Sequence, residues 1–281
     1  MRKYIVILTI GILALGVCSS CRRGKENPED VKYSLRKDVE FIASASGYVS
    51  KATDSSLEDG DEIGVFALDP IDAFNVKGVV SGGKVNTVTP VKWEFNQQKV
   101  SRFAAYLPFM ESLDNMDLMF NVKADQSSYA AYSASDLRYA VADAHPGTPV
   151  ELKFQHALSK LVVVMESQDV EVQSVRTGDI VTGVKLNMVD GNVEVTELKG
   201  AVTMGAAVEA NGGTGHVAIL VPQEGNFPLT VTLKGGTVID ATMPSNVALQ
   251  SGIAYKAIIG LKGTFKLEVT DWADDGQIPY N

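Results

Sequence analysis

Short apolar runs broken by turn residues, with no helical stripe in any window of a dozen residues, restrict this chain to an all-β fold. Ser159–Met165 contains LVVVM, apolar on both faces as in the middle of a packed sheet. Val170–Val175, Val181–Leu186 and Val193–Leu198 follow at intervals of about ten residues, and Asp190-Gly191-Asn192 supplies a hairpin turn between two of them. His216–Val221, Leu229–Leu233, Thr237–Thr242, Tyr255–Leu261 and Phe265–Thr270 continue the series, separated by Gly-, Pro- or Asn-rich turns. Such spacing predicts a β-sandwich.

The first half carries the same texture. Val39, Phe41, Ala43 and Ala45 form a weak period of two, and Asp59-Gly60 turns into the strand-like Glu62–Leu68. Gly82-Gly83 marks a hairpin, Val91–Phe95 follows with Trp93, and Arg102–Leu107 stops at Pro108, which cannot donate to a ladder. Asp125–Ser135 holds one short helix or a loop, Leu137–Val141 reads as a strand, and His145-Pro146-Gly147 breaks the chain before Val150–Phe154. Two sets of strands predict two sandwiches, 38–150 and 151–281, joined near His145–Gln155. No internal repeat is visible.

Ahead of them lies a leader. Arg2 and Lys3 precede an uncharged apolar run from Tyr4 to Val17. Its length fits a secretory segment of about 7–15 residues and falls short of the roughly 20 that a spanning helix needs. Ser19-Ser20-Cys21 ends it, and small residues directly before a cysteine resemble the lipobox of bacterial lipoproteins. Cys21 is the expected lipidated residue and residues 1–20 the signal peptide; Cys18, behind the branched Val17, is the alternative. Residues 22–281 contain no cysteine, so a mature thiol has no intramolecular partner. Acylation would cap it, and two or three chains, at about 0.8 kcal/mol per buried methylene, anchor stably where one does not. Residues 21–37 are polar and charged and read as a tether leading away from the bilayer.

The net charge of −9 becomes −11 without Arg2 and Lys3, leaving 23 basic residues against 34 acidic. An acidic chain without a basic stripe does not bind nucleic acid, because cationic neutralisation of phosphate supplies most of that affinity. Anionic lipid head groups would repel it too, so membrane attachment falls to the lipid.

Motifs that might carry chemistry lack their context. Gly213-Thr214-Gly215-His216-Val217-Ala218 matches a dinucleotide string, but a strand-like segment follows where a helix N-terminus should receive the pyrophosphate. Glu58, Asp59, Asp61 and Glu62 crowd around Gly60, yet a calcium loop starting at Asp54 would need glycine where Asp59 stands. His145, His156 and His216 are far apart, with His156 at the start of a strand where it bonds locally. Trp93 and Trp272 read as core anchors before a sugar platform. No catalytic residue, metal ligand or cofactor is assigned, and the chain is read as non-enzymatic.

Several segments together resemble the fimbrillin (Mfa-like) family of Gram-negative anaerobes, subunits of type V pili and their relatives. Asp59-Gly60-Asp61-Glu62-Ile63-Gly64-Val65-Phe66 is similar to its GD-x-IG strand. Phe103-Ala104-Ala105-Tyr106-Leu107-Pro108 resembles its F-x-A-Y-x-P segment. Phe154-Gln155-His156-Ala157-Leu158-Ser159-Lys160-Leu161 resembles the motif that opens the second domain, and Val269-Thr270-Asp271-Trp272 the closing D/E-W. The resemblance implies two transthyretin-like β-sandwich domains in tandem and export as a lipidated precursor to the outer membrane. It further implies trimming by a trypsin-like protease, and assembly into a fimbria when a neighbour's strand fills the groove left by the first strand. Arg36, just ahead of the first strand, is the expected processing position. Where many relatives carry Thr-Arg-Ala this chain has Ser50-Lys51-Ala52, which an arginine-specific protease would not cut. The implied partners are other fimbrial subunits, the membrane through the lipid, and a host or glycan ligand. A non-polymerising surface lipoprotein that binds such a ligand is the alternative.

Overall fold

Alternation along each strand decides which face it shows to a core. In the computed structural model, residues 37–45, 57–69, 71–94, 98–167, 169–208 and 214–272 are described; Cys18, Cys21, Arg36 and Lys51 lie outside them. β1 (Phe41–Ala45) buries Phe41 and Ala43 and exposes Ile42 and Ser44. β2 (Glu62–Leu68), β3 (Ala73–Ser81), β4 (Lys84–Thr87) and β5 (Ser101–Leu107) follow. Gly82 and Gly83 turn β3 into β4 with φ of +58° and +74°, values that a side chain would strain. β6 (Asp117–Asn121) and the one-turn helix α1 (Tyr129–Ser133), capped by the Ser128 hydroxyl, precede β7 (Arg138–Ala144) and β8 (Val150–His156).

Seven of these strands close into a barrel in the order β1-β4-β3-β2-β5-β7-β8. β1 completes the circle. It runs antiparallel to β4 at Phe41↔Val85 and Ile42↔Lys84, and parallel to β8 from Phe41↔Val150 to Ala45↔Phe154. Closure removes the unpaired edge that an open sheet would present. Inside sit Val39, Phe41, Ala43, Ile63, Val65, Phe103, Val150, Leu152 and Phe154 among others, with Phe41 and Trp93 each packed edge-on against Phe103 at 5.6 Å.

The second body is built on β9 (Ser159–Met165), whose seven residues are all buried. After it come β10 (Val172–Thr177), β11 (Ile180–Val181), β12 (Gly183–Asn187), β13 (Val193–Val195), β14 (Lys199–Gly200) and β15 (Gly205–Val208). β16 (Thr214–Leu220), β17 (Pro228–Leu233), β18 (Val238–Thr242), β19 (Ile253–Ile259) and β20 (Phe265–Asp271) complete the chain. β9 is the central strand of the sheet β15-β16-β9-β19-β20, and the smaller sheets β10-β17-β18 and β13-β12-β6 also contribute side chains to this core.

The two cores share a wall. On β2, Ile63, Val65 and Ala67 face the barrel interior while Phe66 belongs to the second core. β5 divides the same way, Phe103, Ala105 and Leu107 to one side and Ala104 and Tyr106 to the other. A strand clad on both faces must be apolar throughout, which is why EIGVFAL and RFAAYL show so little alternation.

The all-β architecture agrees with the sequence, and several details differ. Val150–Phe154, expected just past the join of the two domains, lies in β8, which pairs with β1 and β7 of the barrel, and the chain enters the second core only at Ala157 and Leu158. Asp117–Asn121 shows no sequence signal strong enough to name, yet it pairs with β12 and buries Leu118 and Phe120 in the second core. The expected strand at Val91–Phe95 is an isolated bridge, Asp38↔Lys92, and Val193–Leu198 is shortened to β13. Asp125–Ser135 does hold one short helix.

Candidate functional site

The β1 slot is the first feature to consider. The segment Lys37–Ala45 is gripped on both sides: the Val39 amide donates to Val91 at 2.8 Å, Ala43 to Gly83 at 2.9 Å, and the Val150 amide to Glu40 at 2.8 Å. Its inward residues are modest in size apart from Phe41, and its outward residues pair on the surface, Glu40 with Lys84 at 2.7 Å. Chain order matters here. β1 comes before every other barrel strand, so taking it out would leave their connections intact.

The second feature is a buried charged cluster where β7, β8, β9 and the end of β20 converge. The His156 ring lies parallel to Trp272, 7° apart in plane with centroids at 3.7 Å. Its Nδ1 is 2.7 Å from Asp136 Oδ1 and donates to it, since an ionised carboxylate only accepts. Arg138 Nε donates to Asp136 Oδ2 at 2.6 Å. Burial by itself would push the Asp136 carboxyl up; Arg138 and His156 overcome that and hold it down at about 2. Lys160, fully buried on β9, stands 6.0 Å from the centre of the Trp272 ring. Backbone bonds tie the same place together: Trp272 N–H to Gly252 O at 2.9 Å and Ala157 N–H to Leu137 O at 2.9 Å. Among the described residues Trp272 Nε1 has no hydrogen-bond partner.

The residues of the first two motifs take structural tasks within the fold. A Cβ on Gly64 would lie 2.2 Å from Tyr106 Cε1 and 2.6 Å from Asn75 Oδ1, so the tyrosine of one motif packs on the glycine of another. Gly64 and Tyr106 face each other in the β2–β5 ladder. The Tyr106 hydroxyl donates to Asn75 at 2.9 Å and accepts from the Met110 amide at 3.1 Å, and burial raises its pKa against these bonds. Asp59 Oδ1 accepts from the Gly82 amide at 2.7 Å and Asp61 Oδ2 from Glu58 at 2.9 Å, while Glu62 pairs with Lys77 at 2.7 Å. The acidic turn therefore binds its own backbone. Among the described residues no group of acidic, histidine or cysteine side chains is arranged to hold a metal.

Other candidates are dispersed. Gly215 and His216 lie within β16 opposite Val164 and Val163, which makes that stretch a strand and no phosphate cradle. Burial lowers the His216 pKa. His145 is exposed at a turn and makes no site with the other two. Trp93 and Trp272 are both core residues, so neither offers a sugar platform. Asp136 and Arg138 escaped the sequence reading. A lone D-x-R signals nothing until His156 is folded against it.

Comparisons with known proteins agree with this architecture. A family model described as fimbrillin-like matches residues 50–272. The chain is similar to a candidate cell adhesion protein from Bacteroides uniformis, at TM-score 0.66 and 19% identity over 84% of this chain and 99% of that one. A candidate cell adhesion protein from Bacteroides ovatus gives 0.66 and 17%, covering 84% and 98%. The tip fimbrial protein Mfa3 from Porphyromonas gingivalis gives 0.50 and 14%, covering 84% and 100%. At such identities the likeness is one of fold. No curated protein matches. With the family model spanning most of its length, the chain belongs to the fimbrillin-like family.

Proposed function

We propose that this chain is a structural subunit of a cell-surface fimbria that supports adhesion, exported as a precursor lipidated at Cys21 and assembled by donor-strand addition. The supporting observation is the seat of β1. A short strand from the start of the folded chain, with two backbone partners and alternate side chains in a core, can be replaced by an extended segment of a neighbouring subunit. Such contacts are head-to-tail, and they propagate into a filament. Fimbrillin-like family membership supports the surface location.

Processing takes a sharper form once β1 is located. A cut after Arg36 lies ahead of β1 and would remove the lipid and tether while leaving the strand seated. Releasing β1 itself takes a cut between Ala45 and Glu62, where Lys51 is the single basic residue. A lysine-accepting protease is therefore assigned to that step. N-terminal sequencing of fibres sheared from cells tests the whole scheme, with immunogold labelling to identify the chain. Fibres that begin at Ala52 are expected; surface material that always begins at acylated Cys21, without filaments, would overturn it.

A further inference from the structure

We infer that the His156–Trp272 stack, anchored through Asp136 and Arg138, fixes β8 as the standing wall of the slot that β1 fills. The inference rests on the reading of β1 as a replaceable strand and concerns what happens to the barrel while the slot is empty.

The strand registers show what holds β8. β8 pairs with β1 at five successive positions, Val150 to Phe154, whereas its ladder with β7 consists of Arg138↔His156 and Tyr139↔Gln155 at the far end. The Val150 amide donates to Glu40, so this bond leaves with β1 as well. With β1 gone, β8 keeps its β7 pairs at Arg138↔His156 and Tyr139↔Gln155 and the short turn back to Ala144, and the side chain that ties it to the second body is His156. There the ring is held between the Asp136 carboxylate at 2.7 Å and the Trp272 indole at 3.7 Å. The next residue is tied twice, Ala157 N–H to Leu137 O at 2.9 Å and Ser251 Oγ–H to Ala157 O at 2.7 Å. Trp272 and Lys160 belong to the second body, whose central sheet does not include β1. The clamp therefore outlasts the strand.

The consequence is preorganisation. A wall that swung inward to bury Val150, Leu152 and Phe154 would close the slot, and an incoming strand would have to reopen it. A wall fixed at His156 keeps those three side chains in register for the newcomer and reduces the ordering cost of binding. His156 and Trp272 are positioning residues in this scheme; neither touches the incoming strand.

The test uses the full mature chain with a site for a sequence-specific protease placed within residues 46–56. After cleavage, a labelled peptide of residues 37–47 is supplied in excess and its uptake is followed by fluorescence anisotropy. The cleaved native chain should exchange β1 for the peptide. His156→Ala should take it up at least tenfold more weakly, and His156→Phe, which keeps a ring on Trp272, should recover most of that loss. The uncut His156→Ala chain should lose urea stability through the missing bond to Asp136, but by less than its loss of peptide affinity. Equal uptake by native and His156→Ala chains would overturn the clamp and leave the β1 reading intact. So would a loss of stability in the uncut variant large enough to account for the weaker uptake. A cleaved native chain that neither releases β1 nor takes the peptide would overturn the β1 reading and the clamp with it.

Discussion

β1 and β9 stand at opposite poles of the same molecule. β1 is a five-residue strand with alternate burial that closes a barrel from the start of the chain. β9 is a seven-residue strand, buried on both faces, that sits mid-sheet between β16 and β19. Each has two neighbours, yet they differ in what depends on them. Taking out β9 would dissolve the central sheet of the second core. Taking out β1 would open one seam in a barrel whose other six strands stay connected. The sheet around β9 also keeps its edges permanently: β20 is an edge strand with Lys266, Glu268 and Asp271 exposed, charges that discourage casual strand addition there. Closure in one body and a charged edge strand in the other are two answers to the same problem of unpaired backbone.

Three measurements distinguish the roles of β1 and β9. Truncation in the two strands is the largest. Leu161→Ala should cost about 2–5 kcal/mol and Phe41→Ala about 3–5 kcal/mol, read from urea denaturation. The distribution should differ: amide exchange should quicken throughout the chain for Leu161→Ala, and mainly in β4, β5 and β8 for Phe41→Ala. If Phe41→Ala loosened β9 and β19 equally, the two bodies would be one cooperative unit and the contrast would fail.

Overpacking of the shared wall comes next. Gly64→Ala places a methyl 2.2 Å from the Tyr106 ring. A fall in stability at the upper end of about 1–3 kcal/mol is expected. Truncating the ring in the same chain should relieve it, giving a coupling of about 0.5–3 kcal/mol in a double-mutant cycle. Additive effects would show that the ring and the glycine do not meet.

Acid is the mildest probe, and it acts at the junction of the two bodies. The Asp136 carboxyl is depressed to about 2 from its ordinary 3.8, so its contribution is complete above the ordinary value and disappears as pH falls through about 2. That contribution is on the order of 2 kcal/mol. Urea midpoints measured across this window should fall for the native chain, and Asp136→Asn should flatten that part of the profile. An unchanged acid slope in the variant would remove Asp136 from the junction's electrostatics.

Much of the fold was open to a reader of the sequence because turns and alternation are local. Gly82-Gly83 and Asp190-Gly191-Asn192 announce their hairpins through backbone angles that few residues adopt, and LVVVM announces a central strand by being apolar at every position. Segments failed where pairing is remote. DLMFN joins the second core because β12 lies beside it, and nothing within five residues could say so. The motif glycine and tyrosine could be named but not explained, since Gly64 and Tyr106 are neighbours only across a ladder.

What the residues themselves determined is the class of fold, the run-and-turn rhythm and the acidic, cysteine-free character of the body, all of which follow from composition and short-range sterics. Tertiary structure decided that β8 belongs to the barrel, that β2 and β5 serve two cores, and that His156 at mid-chain meets Trp272 near the end of the described chain. Those outcomes depend on which surfaces find each other once strands exist. Burial and charge pairing are settled between segments far apart in the chain, so no window of sequence contains them.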